Sequence, residues 1–431
     1  MFEEHTGENM FLLVARMLDV ICPRWRMQLL GIGSDGASSM TGHLQGVVTR
    51  LVNESQHKIY RVWCGLHQLD LVLKHAYKEL WDNEVVDVMK KFISYLRQQP
   101  HLITAMRAKC PQLSTRWMVM GVVSAWLLAK RVPVLDYIES LKKPVEETPP
   151  EWWWIVIAGI SALTDIINPV FTKLQSQTLL VSTQATLLEG LAIDICTAVG
   201  IEGPFSSDEI LMRAVGYNCT YGRWSVSYER VVSFLEDLGM HSRHTLRTLS
   251  DDLHRKVIDS IGNLSLTIVE GIINIQAERN ERNNATDDLP PVLPHELLKM
   301  STAEFGNQIV DVHLQQLRES WTEEDIAKIE KEHRQLRKAY RDEPAVKSAI
   351  DQYEATAIMS FDTGWETVKG RFDVLRDFCG GIATVFANTA SVESDFSVLG
   401  WEKDAFRLSI TDLSLEGIMQ CKQFRSLSLL T

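Results

Sequence analysis

Strand signals in this chain are confined to its first 63 residues and then give way to long helical spacing, a distribution that few folds accommodate. From Arg26 to Gly33 the run Arg-Met-Gln-Leu-Leu-Gly-Ile-Gly reads as a short buried strand. It is followed by the polar, glycine-containing loop Ser34-Asp35-Gly36-Ala37-Ser38-Ser39-Met40-Thr41-Gly42. Val47 to Leu51 suggests a helix, Lys58 to Trp63 alternates like a strand, and Leu66 to Leu80 is apolar at helical spacing. Strand, helix, strand, helix in that order predicts an α/β core.

Beyond about residue 84 the pattern turns helical: Val85–Leu96, Val119–Leu141, Ile155–Ile167, Leu179–Val199 and Val257–Ile275 all fit helices. Thr148-Pro149-Pro150 forms a turn into Trp152-Trp153-Trp154, and three adjacent indoles cannot share one helix face, so some must meet a second layer or a partner. Residues 277–295 are poor in apolar side chains and read as an exposed linker. Thr322 to Arg341 reads as a charged, largely solvated helix, and Gly380 to Phe386 returns to buried character before a final pair of helices.

A length of 431 residues allows two or three cores. The net charge of −12 opposes holding a polyanion, because Lys and Arg supply most of the affinity for phosphates; a DNA-binding face must be local or supplied elsewhere. Seven scattered cysteines do not resemble a secreted disulfide framework, which points to a reducing compartment. No run of about 18 uncharged apolar residues occurs, so no membrane span is expected. Helical spacing of Met10, Leu13, Met17 and Val20 begins almost at once, as though the chain opens inside a domain.

Four short constellations could carry chemistry. Asp35 follows a buried strand, where side chains face a crevice and a carboxylate suits Mg²⁺; the alternative is a turn or capping Asp. Cys64-Gly65-Leu66-His67 has the spacing of half a zinc site but no second pair, and reads more readily as a local structural Cys and His. Thr115-Arg116-Trp117 sets a cation beside an indole, suited either to phosphate and an unpaired base or to core packing. In Ser391-Val392-Glu393-Ser394-Asp395-Phe396-Ser397, helical spacing places Glu393, Phe396 and Ser397 on one face, which an ordinary amphipathic helix would also do.

Taken in order, these motifs resemble the hAT transposase superfamily: a strand-end Asp motif, a C-x-x-H, a T-R-W, a long helical insertion, then a helix with the final Glu three residues before a Phe. The tail, Phe406-Arg407-Leu408-Ser409 with Leu413, Leu415 and Ile418, is similar to that family's C-terminal dimerisation segment. The resemblance implies a predominantly helical chain in which an RNase H-like mixed sheet is split by a large all-α insertion. The implied limits are 1–110 for a partial α/β domain, 111–375 for the insertion and 376–431 for the closing helices.

It further implies that Asp35 and Glu393 are Mg²⁺ ligands for DNA cleavage and strand transfer. Cys64 and His67 shape the site, Arg116 and Trp117 support a flipped base at the cleaved end, and Leu408, Leu413, Leu415 and Ile418 join a homodimer. Val392 and Ser394 depart from the family's S-E-R motif. The first strands and the first catalytic Asp are expected to be missing, since Glu3, Glu4, Glu8 and Asp19 lie outside any strand-end context. A transposase-derived protein, nuclear, inactive by itself and weak on DNA without an N-terminal DNA-binding domain, is the expectation. The alternative is a non-catalytic dimerisation module.

Overall fold

The computed structural model describes residues 6–427 apart from 37, 43–44, 56, 114–118, 177, 215–217, 283–289, 355–359, 386 and 390–409. Helix α1 (Gly7–Ile21) is capped by Thr6, whose hydroxyl accepts from the Asn9 amide at 3.2 Å. A single turn at Trp25–Gln28 leads into β1 (Gly31–Ser34); α2 (Val47–Glu54) crosses over, and β2 (Tyr60–Trp63) returns parallel to β1, pairing Gly31 with Tyr60 and Ser34 with Trp63. Helix α3 (Gly65–Glu79) follows. A parallel pair needs such a crossover, so the strand–helix–strand–helix order read from the sequence is present.

Both strands are shorter than expected. Arg26–Leu30 is not strand because Trp25 is buried with its indole N–H donated to Asp19 at 2.8 Å, and the Leu29 amide closes a turn onto the Trp25 carbonyl. Alternation gives the small sheet two faces. Ile32 joins a cluster with Ala15, Trp25, Val47 and Leu51, under α1 and α2. Tyr60 and Val62 join Val181, Val385 and Ala387 on the other side. The outward side of α1 carries Leu13, Met17, Val20 and Ile21, all more than half exposed.

Among the described residues the middle of the chain is helical apart from one hairpin. Its helices are α4 (Glu84–Arg97), α5 (Pro100–Met106), α6 (Val119–Ala129), α7 (Arg131–Glu139), α8 (Glu151–Leu174) and α9 (Val181–Val199). A hairpin, β3 (Asn218–Tyr221) with β4 (Trp224–Ser227), then precedes α10 (Tyr228–Asp237), α11 (Met240–Thr248) and α12 (Asp251–Arg282). The span read as one helix over 119–141 breaks at Lys130, and Pro133 falls in the first turn of α7, where its missing N–H costs nothing. The hairpin escapes the sequence reading because its strands have four residues each, too few for a period.

Helix α8 is the axis of this body. Trp152, Trp153 and Trp154 point in different directions and are all buried, because neighbours cover every side. Trp153 donates its indole N–H to the Val85 carbonyl at 3.0 Å, Trp154 meets Trp153 and Phe92 edge-on, and Trp152 stacks on Trp81. Helices α8 and α12 are long and apolar enough, by length and composition, to cross a membrane, and 61% of the apolar window in each is buried by this chain.

A second helical core contains α13 (Glu323–Asp342), α14 (Pro344–Glu354) and α15 (Asp373–Ala383). Ile326, Ile329, His333 and Leu336 form the buried stripe of the charged helix α13. The stretch 277–295 differs from the linker reading at both ends: α12 runs on to Arg282, and Val292, Leu293 and Pro294 are core. The apolar spacing of Val292 and Leu293 is hidden in sequence between prolines. Helix α16 (Asp412–Leu427) closes the described chain. Among the described residues helix makes up 73% and strand 5%, so the predominantly helical class with small sheets stands.

Candidate functional site

The carboxyl ends of β1 and β2 lie side by side. Asp35 follows Ser34, Cys64 follows Trp63, and the Cys64 amide donates to the Ser34 carbonyl at 3.1 Å, extending the ladder by one bond. Cys64 is buried, and His67, in the first turn of α3, is half-buried. The fold therefore gathers Asp35, Cys64 and His67 at one sheet edge, as a parallel α/β unit does with residues just past its strands. A helix from elsewhere fixes this corner: Gln184 of α9 accepts from the Gly65 amide at 3.1 Å and donates to the Trp63 carbonyl at 3.0 Å. A Cβ at Gly65 would come within 2.8 Å of the Gln184 side chain, so the clamp requires glycine there.

The C-terminal chain reaches the same sheet. Val385 and Ala387 pack on Tyr60 and Val62, and a Cβ on Gly31 would lie 2.5 Å from Val385 Cγ1. Asn388 then donates its amide to the carbonyls of Leu174 and Ser176, at 2.8 and 2.9 Å, tying the segment to the end of α8. Three residues further on begins the Ser391–Ser397 motif. Glu393, Arg116, Trp117 and Leu408 lie outside the described residues.

Of the acids that precede Asp35, Glu3 and Glu4 lie outside the described residues, and Glu8 and Asp19 sit on α1 rather than at a strand end. Asp19 on α1 accepts from Arg26 at 2.6 Å and from Trp25, bonds that hold its carboxyl below the usual carboxylate range. Glu8 pairs with Arg50 at 3.6 Å. Among the described residues no group of three His, Cys, Asp or Glu side chains is arranged to hold a metal ion. One described carboxylate at a strand end does not fit the oxygen-rich shell that Mg²⁺ demands, and Cys64 with His67 is two ligands short of a structural zinc. All seven cysteines are free.

Of the dimerisation residues, Leu413 on α16 is 79% exposed, and Leu415 and Ile418 are half-buried. Sequence reasoning missed a second polar cluster, at the end of α3. Trp81, Asp82 and Asn83 all take positive φ, at 49°, 52° and 72°, a strained run for residues with a Cβ. Trp81 is sandwiched between Trp152, at 3.6 Å between centroids, and the Lys256 ammonium, at 3.7 Å. A cavity of about 330 Å³ beside it is lined by Glu79, Arg255, Lys256 and Asp259. With both ring faces covered and charges of both signs around it, Trp81 offers no stacking surface.

No protein-family model and no curated protein matches this chain.

Proposed function

We propose that this chain derives from the catalytic region of an hAT-type transposase, with an RNase H-like core split by a helical insertion, and that the polypeptide alone does not cleave DNA. One observation carries the reading: segments remote in sequence meet at one small parallel sheet. Asp35 and Cys64 follow its two strands, and Val385 and Ala387 pack on it, with Asn388 tied to the end of α8, a few residues before the motif that holds Glu393 in sequence. An unrelated helical scaffold has no reason to bring Val385 and Ala387, which precede that motif in sequence, to that sheet.

DNA cleavage of the ancestral kind uses three carboxylates and two divalent ions. Asp35 and Glu393 are two candidates; Asp19 and Glu8, on α1, are engaged with Arg26 and Arg50, and neither supplies a third. No step is therefore assigned to Mg²⁺ in this chain. The retained role is association with transposon-derived DNA ends or with a second copy through α16, whose Leu413 is left in solvent.

Spin labels at Asp35→Cys and Glu393→Cys, in a chain with its exposed native cysteines replaced, measure whether the two motifs meet. A short separation, compatible with carboxylates roughly 4 to 8 Å apart, is expected, and a wide one sinks the ancestry. Hairpin formation or strand transfer by the purified chain with Mg²⁺ would sink the claim of inactivity.

A further inference from the structure

From Val88 to Leu135 the chain carries eight Lys and Arg residues and no Asp or Glu, leaving 36 basic against 56 acidic residues elsewhere. A long acid-free run inside an acidic chain is the local patch that its overall charge demands of any polyanion-binding face. The structure folds the run into α4, α5, the 107–113 loop, α6 and the start of α7.

Lys90, Ser94 and Arg97 recur at helical spacing on the outward side of α4, with Lys91 beside them. The opposite side, with Met89, Phe92, Ile93 and Leu96, is core. Arg97 joins the helix to the loop: its guanidinium donates to the Cys110 carbonyl and, at 3.5 Å, to Gln112. The loop's own cations, Arg107 and Lys109, are exposed. Lys90 pairs with Asp87 at 3.2 Å, whereas Lys91, Arg107 and Lys109 have no acidic partner among the described residues. Glu147 is felt at Tyr95 on α4, so the region is not free of acid, but it pairs with none of these three.

We propose that the outward stripe of α4 and the 107–113 loop form a nucleic-acid backbone contact, with Lys91, Arg107 and Lys109 as its phosphate ligands and Arg97 as the residue that positions the loop. Unpaired cations release counterions on meeting phosphates without first breaking a protein ion pair, and that is the main source of sequence-independent affinity. The run also continues into Thr115-Arg116-Trp117, so a basic face is followed in sequence by an aromatic residue, the combination that nucleic-acid surfaces use. The naming of DNA as the polyanion rests on the proposed function; the location of the face does not.

The test is fluorescence anisotropy of a labelled, arbitrary-sequence DNA duplex titrated with the full chain over a KCl series. The wild type is compared with Lys91→Glu/Arg107→Glu/Lys109→Glu and with a control reversal, Lys331→Glu/Lys338→Glu, on exposed positions of α13. The triple variant should bind at least tenfold more weakly at low salt. Its log–log salt slope should be shallower by about 2 to 3, near 0.9 for each phosphate that is no longer neutralised, while the control variant and the far-ultraviolet circular dichroism of all three stay unchanged. Wild-type binding that survives the triple reversal, no wild-type binding even at low salt, or preferential binding to phosphatidylserine vesicles over DNA overturns the proposal. Loss of DNA binding alongside widely separated Asp35 and Glu393 would uphold this face and sink the ancestry; retained binding with the two motifs adjacent would do the reverse.

Discussion

The Tyr60 hydroxyl of β2 lies 2.8 Å from His313 Nε2, across 253 positions of sequence. His313 Nδ1 faces the Gln316 carbonyl oxygen at 2.7 Å, so Nδ1 carries the proton and Nε2 accepts from Tyr60. Gln316 in turn donates to the His57 ring, and His57 Nδ1 donates to the Lys58 carbonyl at 2.8 Å. The neutral imidazole thus latches the second helical core to the sheet. Burial pushes the His313 pKa below the ordinary value of 6.5, and burial does the same at His241, His295 and His333.

A lowered histidine pKa means that the unfolded chain binds more protons than the folded one below 6.5. The stability these histidines contribute is fully present above that value and is lost as pH falls through 6.5 toward the lower folded values. Thermal melts between pH 7.5 and 5, roughly the range in which imidazole titrates, should show a falling Tm that is less steep in His313→Gln. An equally steep fall in the variant would remove His313 from the account. Tyr60→Phe leaves Nε2 buried without its donor and should cost about 1 to 3 kcal/mol in urea unfolding at neutral pH.

Trp153 supplies a test of the helical core. It is fully buried, donates to the Val85 carbonyl and meets Trp154 edge-on at 5.2 Å. Trp153→Ala should cost about 3 to 5 kcal/mol, and Trp153→Phe, which keeps most of the apolar bulk but orphans one carbonyl, about 1 to 3. Urea unfolding measures both, and a Trp153→Phe loss near zero would mean that the hydrogen bond contributes nothing.

How much of this was legible in the sequence depends on the range over which each signal acts. The order of β1, α2, β2 and α3 was legible because period and breakers are local, and so were the places of Asp35 and Cys64 just past their strands; that the two ends meet was implied only by the resemblance and comes from the parallel register. The Trp25 turn was not, because it depends on an Asp19 side chain folding back onto the indole. Nor were Gln184 at the Gly65 corner and the Tyr60–His313 bond, since single polar residues set no period and their partners lie 119 and 253 positions away. The basic run from Val88 to Leu135 was available to inspection and is hidden only when charge is summed over the whole chain.

Helix α16 makes an oligomerisation prediction. Leu413 stands 79% exposed one turn before Gly417 and Ile418, an arrangement that a second copy would cover. Light scattering after size exclusion should give a dimer at micromolar concentration, and Leu413→Glu/Ile418→Glu should give a monomer with an unchanged melting temperature for the helical core. A monomeric wild type would end the dimer reading, and a dimer that persists in the variant would move the interface elsewhere.

The contact between Gly31 and Val385 bears most directly on the proposed function, because it brings the C-terminal segment to the sheet. Gly31→Ala introduces a methyl group 2.5 Å from Val385 Cγ1, so either the strand or the segment must give way, at a cost of about 1 to 3 kcal/mol typical of overpacking. Shortening the opposing side chain restores the space, and Gly31→Ala/Val385→Ala should therefore be more stable than the sum of the two single losses predicts. A coupling energy of about 0.5 kcal/mol or more is expected for residues that touch, whereas independent sites add to within roughly 0.3 to 0.5. Strict additivity would mean that Val385 does not lie against Gly31 of β1 in solution, and the route by which Glu393 could approach Asp35 would be lost with it.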